Sequence, residues 1–250
     1  MRTILLFFLS IVCASAQLNI SNPFFVGGVL KPAAASSFGP VGIDVAVATN
    51  VSSGTSMTIA ISSTNPNRLL FVGVGGYDGT RTISSVTHNG GSCTLLYSTN
   101  FYDASGNGTA AIYYRIAPDS GTGNIVVTYD DALPALNSVI GVMLTNVNQS
   151  TPLGTFASKY NASASPVPGV TNTVTSSAND LVVDYLVAHP HNATFSTSGT
   201  SQTELTNTFQ SGLGGSRVSY SSAVGSVQMS WIFSGADQAQ SHIAVPVKAR

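Results

Sequence analysis

Residues Asn67–Tyr97 read NRLLFVGVGGYDGTRTISSVTHNGGSCTLLY, which is three apolar runs separated by glycine-rich turns. Side chains of an extended chain alternate between two faces, and the first run is apolar on both: Leu70, Val72 and Val74 on one, Leu69, Phe71 and Gly73 on the other. Such a run predicts a buried central strand. The turns carry Asp78-Gly79 and Asn89-Gly90-Gly91, which tolerate positive φ at a chain reversal.

Short runs with a period of two residues continue on both sides of this stretch. They recur from Val41 to Val247, and no segment shows sustained helical periodicity with caps. The pattern predicts an all-β protein. Residues 41–250 are predicted to form a single antiparallel two-sheet β-sandwich, jelly-roll-like, because a lone sheet would leave one apolar face uncovered. Residues 17–40 are predicted to be an N-terminal extension.

The two halves of the predicted sandwich resemble each other in sequence. Three correspondences occur in the same order, pairing residues 59–72 with 174–183, 111–117 with 217–223, and 124–130 with 226–232. A proline-containing segment, residues 145–169, is predicted to link the halves. Two interpretations are open: an internal duplication, or convergence between two sets of amphipathic strands rich in serine and threonine.

Several strand and turn motifs resemble a β-sandwich module common in secreted and surface-anchored bacterial proteins. The motifs are NRLLFVGV from Asn67, ISSVTHNGG from Ile83, AIYYRIAPDSGTG from Ala111, STPLG from Ser150, NDLVVD from Asn179 and QMSW from Gln228. The resemblance spans residues 41–248. It implies the sandwich fold and a setting among adhesion, cell-wall or polysaccharide-related domains, and it brings no catalytic motif to this chain.

Residues 1–16 are predicted to be a secretory signal peptide. Arg2 precedes an apolar core, and the small-residue pattern Ala14-Ser15-Ala16 predicts cleavage before Gln17. The core is too short to span a bilayer, and no later run reaches the roughly 18 apolar residues of a transmembrane helix. The sequence therefore predicts a secreted, extracellular protein without membrane insertion.

Charged residues make up only 8% of the chain. Loss of residues 1–16 would leave eight basic and ten acidic residues, so no basic face and no nucleic-acid partner are predicted. A surface of hydroxyls, amides and glycans is predicted instead, although sequons also arise by chance in a chain rich in Asn, Ser and Thr. The glycosylation candidates are Asn19, Asn50, Asn107, Asn148, Asn161 and Asn192.

The predicted mature chain keeps one cysteine, Cys93, so no intrachain disulfide is predicted. Cys93 alternates with Leu95 and Tyr97 in the third run. This spacing predicts that the three side chains share one apolar strand face. A buried, unreactive thiol is therefore preferred to an intermolecular bridge.

Groups that could titrate or coordinate a metal are few, and the chain is not predicted to be an enzyme. A glycosidase needs two carboxylates that flank a sugar, whereas Glu204 is the only glutamate and most aspartates lie in predicted turns. The weak candidates for a metal site are His189 and His191, with a third ligand from Asp184, His88 or His242. Two histidines alone do not hold zinc, and no cofactor or resident metal is predicted.

Aromatic side chains near turns predict a candidate carbohydrate site, because aromatic faces stack on sugar rings. Trp231 alternates with apolar neighbours and is predicted to lie in the core instead. The candidate ligand-binding residues at loop ends are Tyr77, Asp78, Tyr102 and Asp103. The loops at residues 75–81 and 189–195 are the predicted locations of a specific site.

The N-terminal extension contains an apolar segment that could add a strand to the edge of a neighbouring sheet. Its assembly candidates are Phe24, Phe25, Val26, Val29 and Leu30. The alternative is that this segment packs on its own sandwich. The sequence thus predicts a secreted, non-enzymatic β-sandwich with an extracellular structural or adhesive role, which associates with itself or with an extracellular polymer or glycan. The alternative function is a carbohydrate-binding, lectin-like module.

Overall fold

The alternating apolar runs fold as β-strands. A computed structural model describes residues 39–51, 54–76, 81–103, 106–132, 137–161, 169–189, 194–208, 215–234 and 239–250. The strands of the first half are β1 (Gly42–Val51), β2 (Ser56–Ser63), β3 (Leu69–Gly76), β4 (Ile83–His88), β5 (Gly91–Ser92), β6 (Thr94–Asp103), β7 (Gly106–Ile116), β8 (Gly121–Tyr129) and β9 (Asn137–Thr145). The strands of the second half are β10 (Ala157–Asn161), β11 (Gly169–Ser176), β12 (Leu181–His189), β13 (Thr194–Thr197), β14 (Thr203–Asn207), β15 (Gly215–Ser221), β16 (Gly225–Ser234) and β17 (Ala239–Val247).

The described residues contain strands and turns and no helix, which confirms the predicted all-β class. It follows that no described segment is a helix able to cross a membrane. Three strands lie where none was predicted. Strand β5 begins in the predicted turn after β4, β10 occupies part of the predicted linker, and β13 begins within the predicted loop after β12.

The strands pair antiparallel in four sheets. The first inner sheet has the order β1-β9-β3-β7-β6, and the first outer sheet has the order β2-β8-β4-β5. The second inner sheet is β10-β17-β12-β15-β14, and the second outer sheet is β11-β16-β13. The structure therefore differs from the predicted two-sheet sandwich, because each half of the chain builds an inner and an outer sheet of its own.

Strand β3 shows why the sheets stack in four layers. Leu70 and Val74 pack with residues of the first outer sheet, such as Met57. Leu69 and Phe71 on the opposite face pack against the second inner sheet. Both predicted faces of this strand are therefore buried, and each inner sheet lies between its own outer sheet and the other inner sheet.

The two inner sheets meet at Gly73 and Tyr185, on their central strands β3 and β12. A Cβ atom on Gly73 would lie 2.3 Å from Tyr185 Cε2, so only glycine leaves room for the ring. The Tyr185 hydroxyl lies 2.8 Å from Ser216 Oγ. Burial raises the pKa of Tyr185, so its hydroxyl stays neutral. The glycine within the apolar run is thus a packing requirement.

The two halves have the same strand order. Replacing β1, β9, β3, β7 and β6 by β10, β17, β12, β15 and β14 converts one inner sheet into the other, and β2-β8-β4 corresponds to β11-β16-β13. In each of the three predicted sequence correspondences, the two similar segments lie in strands that have the same position in their respective halves. Asn67 and Asn179, which precede β3 and β12, both have positive φ, 51° and 71°, a conformation that asparagine tolerates.

The predicted common face of Cys93, Leu95 and Tyr97 is wrong. Strand β6 has a bulge between Leu95 and Tyr97, and the extra residue reverses the alternation of side chains. Cys93 packs beneath the first outer sheet, Tyr97 packs between the inner sheets, and Leu95 is 50% exposed. Burial raises the pKa of Cys93 to about 11, so the thiol stays protonated and unreactive at neutral pH.

Candidate functional site

The structure describes the backbone of two of the four predicted ligand-binding residues. Tyr77 and Asp78 lie outside the described residues. Tyr102 and Asp103 are the last residues of β6, where the backbone pairs with the start of β7. The structure therefore places this second pair at the β6–β7 hairpin.

A cleft of about 270 Å³ opens between β6, β7 and the start of β4. We call it the Leu95 cleft, and its lining residues are Arg81, Thr82, Ile83, Leu95, Ser98, Asn100, Thr109 and Tyr113. Strands β6 and β7 of the inner sheet supply five of them, and β4 with the residues before it supplies the others. Asn100 is two residues before Tyr102 in β6.

The Leu95 cleft combines an exposed apolar side chain with hydrogen-bonding groups. Burial raises the pKa of Tyr113, so its hydroxyl is a neutral donor and acceptor. Arg81 forms an ion pair of 2.9 Å with Asp131, and its charge is therefore balanced within the protein. A neutral ligand that carries hydroxyl groups suits this lining better than an anion.

The structure does not test the weak metal candidates His189 and His191 as a pair. His191 lies outside the described residues, and His189 ends β12. Within the described ranges, no group of three or more histidine, cysteine or acidic side chains could hold a metal ion. Asp184 and His242 contact each other in the second half, whereas His88 is buried in the first half.

Two predicted glycosylation sites have described side chains. Asn50 Nδ2 donates a 2.6 Å hydrogen bond to the carbonyl of Thr208. Asn148 Oδ1 accepts hydrogen bonds of 2.9 Å from the N–H groups of Ser150 and Thr151. The remaining sites lie in β7, in β10 or outside the described residues: Asn107, Asn161, Asn19 and Asn192. Also outside the described residues are the assembly candidates Phe24, Phe25, Val26, Val29 and Leu30.

A fully buried carboxylate, Asp184, lies between the second inner and outer sheets. Its Oδ1 accepts hydrogen bonds from the N–H and the hydroxyl of Ser219, at 2.8 and 2.5 Å. Its Oδ2 accepts from Gln202 Nε2, Trp231 Nε1 and His242 Nε2, at 3.0, 2.8 and 2.8 Å. We call these five side chains the Asp184 centre. Five donors compensate the loss of hydration that burial of a carboxylate entails.

Hydrogen bonding determines which nitrogen of His242 carries a proton. Because the carboxylate of Asp184 is an acceptor, Nε2 donates. The other ring nitrogen, Nδ1, lies 3.1 Å from Asn172 Nδ2 and accepts from that amide. Asn172 Nδ2 also donates to the backbone carbonyl of His242 at 2.8 Å. Trp231, predicted to be a core residue, is fully buried in the same centre.

The first half has an aromatic and two valine side chains where the second half has three residues of this polar cluster. Matching the strand registers of the two inner sheets pairs Asp184 with Val72, Ser219 with Tyr113, and His242 with Val139. The same arrangement of strands therefore folds around an apolar core. The Asp184 centre is an addition that the fold does not require.

Sequence reasoning named Asp184 and His242 only as spare metal ligands, and it missed Gln202 and Ser219. The available signal was Asp184 itself, which is the only charged residue in the apolar run Leu181–Ala188. A carboxylate in such a run requires donors from other strands. Which residues donate depends on strand pairing, which the local pattern does not specify.

His88 makes stability depend on pH. It is buried, and among the described residues neither ring nitrogen has a hydrogen-bond partner. Burial, with a smaller effect of Arg115, lowers the pKa of His88 below its ordinary value of 6.5. The unfolded chain then binds more protons than the folded chain below pH 6.5. We expect the free energy of unfolding to fall between about pH 7 and pH 5, as measured by urea denaturation at each pH.

The His88→Leu variant is the matched control, because leucine buries no polar atom. We expect it to be at least as stable as the wild type at neutral pH, since two unsatisfied nitrogens are removed. It should also lose less stability on acidification. An equal loss in both proteins would assign the pH dependence to other groups.

Comparison with protein-family models gave no match, and comparisons with curated proteins and with solved structures found no similar protein.

Proposed function

We propose that the mature chain is a secreted, non-enzymatic protein with an extracellular structural or adhesive role, and that copies associate through their outer sheet faces. The predicted signal peptide and the low charge of the sequence support export and an uncharged surface. The observation that carries the proposal is the chemistry of the two outer faces. Both consist of uncharged side chains that can pack against a second copy without electrostatic repulsion.

The outward side chains of the first outer sheet are hydroxyls, an amide and small apolar groups. On β2 and β8 they are Ser56, Thr58, Ala60, Ser62, Thr122, Asn124, Val126 and Thr128. The second outer sheet repeats this chemistry on β11 and β16, with Thr171, Thr173, Thr175, Ser226, Gln228 and Ile232. Since sheets stack face to face at about 10 Å, each outer face can pack against an outer face of a second copy.

The edge strands of the inner sheets are poorly suited to pairing with a strand of another copy, which favours association through the outer faces. Three of the four edge strands contain a register shift: β1, β6 and β14. Bulges of this kind hinder the addition of another strand. The fourth edge, β10, carries the exposed Lys159, and charged edge residues have the same effect.

A lysine on each outer face is expected to prevent association. In the Thr58→Lys/Thr173→Lys variant, both substituted side chains are exposed, so folding should be retained. Placing like charges opposite each other costs several kcal/mol, and we expect the dissociation constant of the assembly to rise at least about tenfold. Sedimentation velocity and negative-stain microscopy of the mature chain provide the measurement.

The control variant is Thr151→Lys, which adds a charge at an exposed position outside the sheets. It should associate like the wild type. If the mature wild-type chain stays monodisperse at high concentration, self-association is excluded. If the lysine variants assemble normally, the outer faces are not the contact surface.

A carbohydrate-binding function is a second candidate, and the Leu95 cleft favours it. Its neutral hydroxyl and amide groups could bind sugar hydroxyls, and Leu95 could contact the apolar face of a sugar ring.

Replacing Leu95 by aspartate is expected to abolish binding on a glycan array, because a carboxylate would replace the apolar contact. Val224→Asp is the matched control, since Val224 is also an exposed apolar residue, 62% exposed, but lies outside the cleft. A mature chain that binds no glycan, or a Leu95→Asp variant that binds as the wild type does, would rule out this function for the cleft.

We further infer that the two halves arose by internal duplication. Their identical strand order and the paired asparagines before β3 and β12 support this origin. The resemblance to a bacterial surface module also belongs to the proposed extracellular role. On a cell surface, a β-protein with uncharged outer faces would contact polysaccharide or other copies of itself.

A further inference from the structure

Gln202 and Ser219 contact each other within the Asp184 centre. Gln202 Nε2 lies 2.7 Å from Ser219 Oγ, and Ser219 Oγ lies 2.5 Å from Asp184 Oδ1. Ser219 and Asp184 are fully buried. A buried hydroxyl, a buried carboxylate that accepts its hydrogen bond and a partly buried carboxamide are therefore held together.

The carbonyl oxygen of Gln202 is held by two backbone donors. The N–H groups of Gly199 and Ser230 lie 3.0 and 2.7 Å from Oε1. Because both donors require an acceptor, they establish which amide atom is the oxygen. Two N–H groups aimed at one carbonyl oxygen also stabilise the negative charge that forms there when a nucleophile attacks the adjacent carbon.

We propose that Ser219 and Gln202 become joined by an ester bond that the chain forms without another enzyme. Ser219 Oγ attacks Gln202 Cδ while Asp184 accepts the hydroxyl proton, and Gln202 Oε1 stays on its two backbone donors. The Oγ–Cδ bond forms, the Cδ–Nε2 bond breaks, and Asp184 passes the proton to the departing nitrogen. The products are the ester and one ammonia molecule, so the step needs no co-reactant.

The position of Gln202 gives the cross-link a structural consequence. Gln202 lies between β13 of the outer sheet and β14 of the inner sheet, where the chain crosses from one layer to the other. An ester to Ser219 on β15 fixes this crossing covalently. The equivalent core of the first half lacks the serine, having Tyr113 in its place, so packing alone does not explain the arrangement. This inference does not rest on the proposed extracellular role.

Intact-mass spectrometry of the mature chain, produced in bacteria to avoid glycosylation, tests the proposal. All variants carry Gln17→Ser, because an N-terminal glutamine also loses ammonia by cyclisation. We expect the folded chain to be about 17 Da lighter than its sequence, the mass of one ammonia. Fragmentation after digestion should identify one linked peptide pair that contains Gln202 and Ser219.

Two substitutions of Ser219 complete the test. Ser219→Ala should have the full sequence mass, and Ser219→Thr, which retains a hydroxyl, should keep the deficit if it folds. The mass of the folded parent chain decides the proposal even where a variant fails to fold. A full mass in that chain overturns the ester, and so does a deficit that persists in Ser219→Ala.

Discussion

Replacing Gly73 with valine is expected to lower the free energy of unfolding by about 3 kcal/mol. The β-carbon would lie 2.3 Å from Tyr185 Cε2, and the ring cannot move aside because it is buried between the central strands of both inner sheets. The two sheets would have to separate locally, which disrupts the contacts around them. Urea denaturation followed by tryptophan fluorescence measures the change.

A double substitution distinguishes this collision from a general effect on β3. In the double variant Gly73→Ala/Tyr185→Leu, the smaller leucine leaves room for the added β-carbon. The double variant should therefore lose less unfolding free energy than Gly73→Ala and Tyr185→Leu lose in sum. Ala60→Val on an exposed face of β2 is the control for adding a branched side chain to a strand. Additive effects of the two substitutions would show that Gly73 and Tyr185 do not constrain each other.

The Asp184→Ala variant is expected to lose about 3–5 kcal/mol of stability. Alanine removes the acceptor for the fully buried Trp231 and His242. Their donors would then be buried without partners, and each such group carries a desolvation cost. Chemical denaturation at neutral pH is the measurement, and quenching of Trp231 fluorescence should change with it.

Asp44 supplies the matched control, because it is an exposed aspartate on β1. The Asp44→Ala variant should change stability by less than about 0.5 kcal/mol. Similar losses in Asp44→Ala and Asp184→Ala would contradict a special contribution of the buried centre. Asp184→Asn is expected to be intermediate, since the amide keeps one acceptor oxygen but its NH2 group faces other donors.

Local patterns predicted most strands because alternation of apolar residues is a property of each segment. The pattern also indicated that β3 is buried on both faces, as Leu70 and Phe71 show by packing into different cores. The number of sheets could not be predicted in the same way. Apolar residues on both faces are compatible with two or four layers, and the outcome depends on which distant strands pair.

For the candidate sites, too, the sequence predicts what depends on a single segment and does not predict what depends on strand pairing. The ligand site predicted at Tyr102 and Asp103 stays a prediction, and the Leu95 cleft was not predicted. The reversal of faces at Leu95 was not predicted, because a bulge becomes visible only against the partner strand β7. The donors to Asp184 come from four separate regions of the chain, so no sequence spacing identifies them as a group.

The meeting of Gly73 with Tyr185 also decides which surfaces of the two halves can recognise each other. These residues occupy equivalent positions in their inner sheets. Two copies of the first half would set glycine against glycine and leave a void, whereas two copies of the second would set ring against ring. Each half is therefore complementary to the other and mismatched with itself, so a chain cleaved between β9 and β10 should reassemble only as a mixed pair.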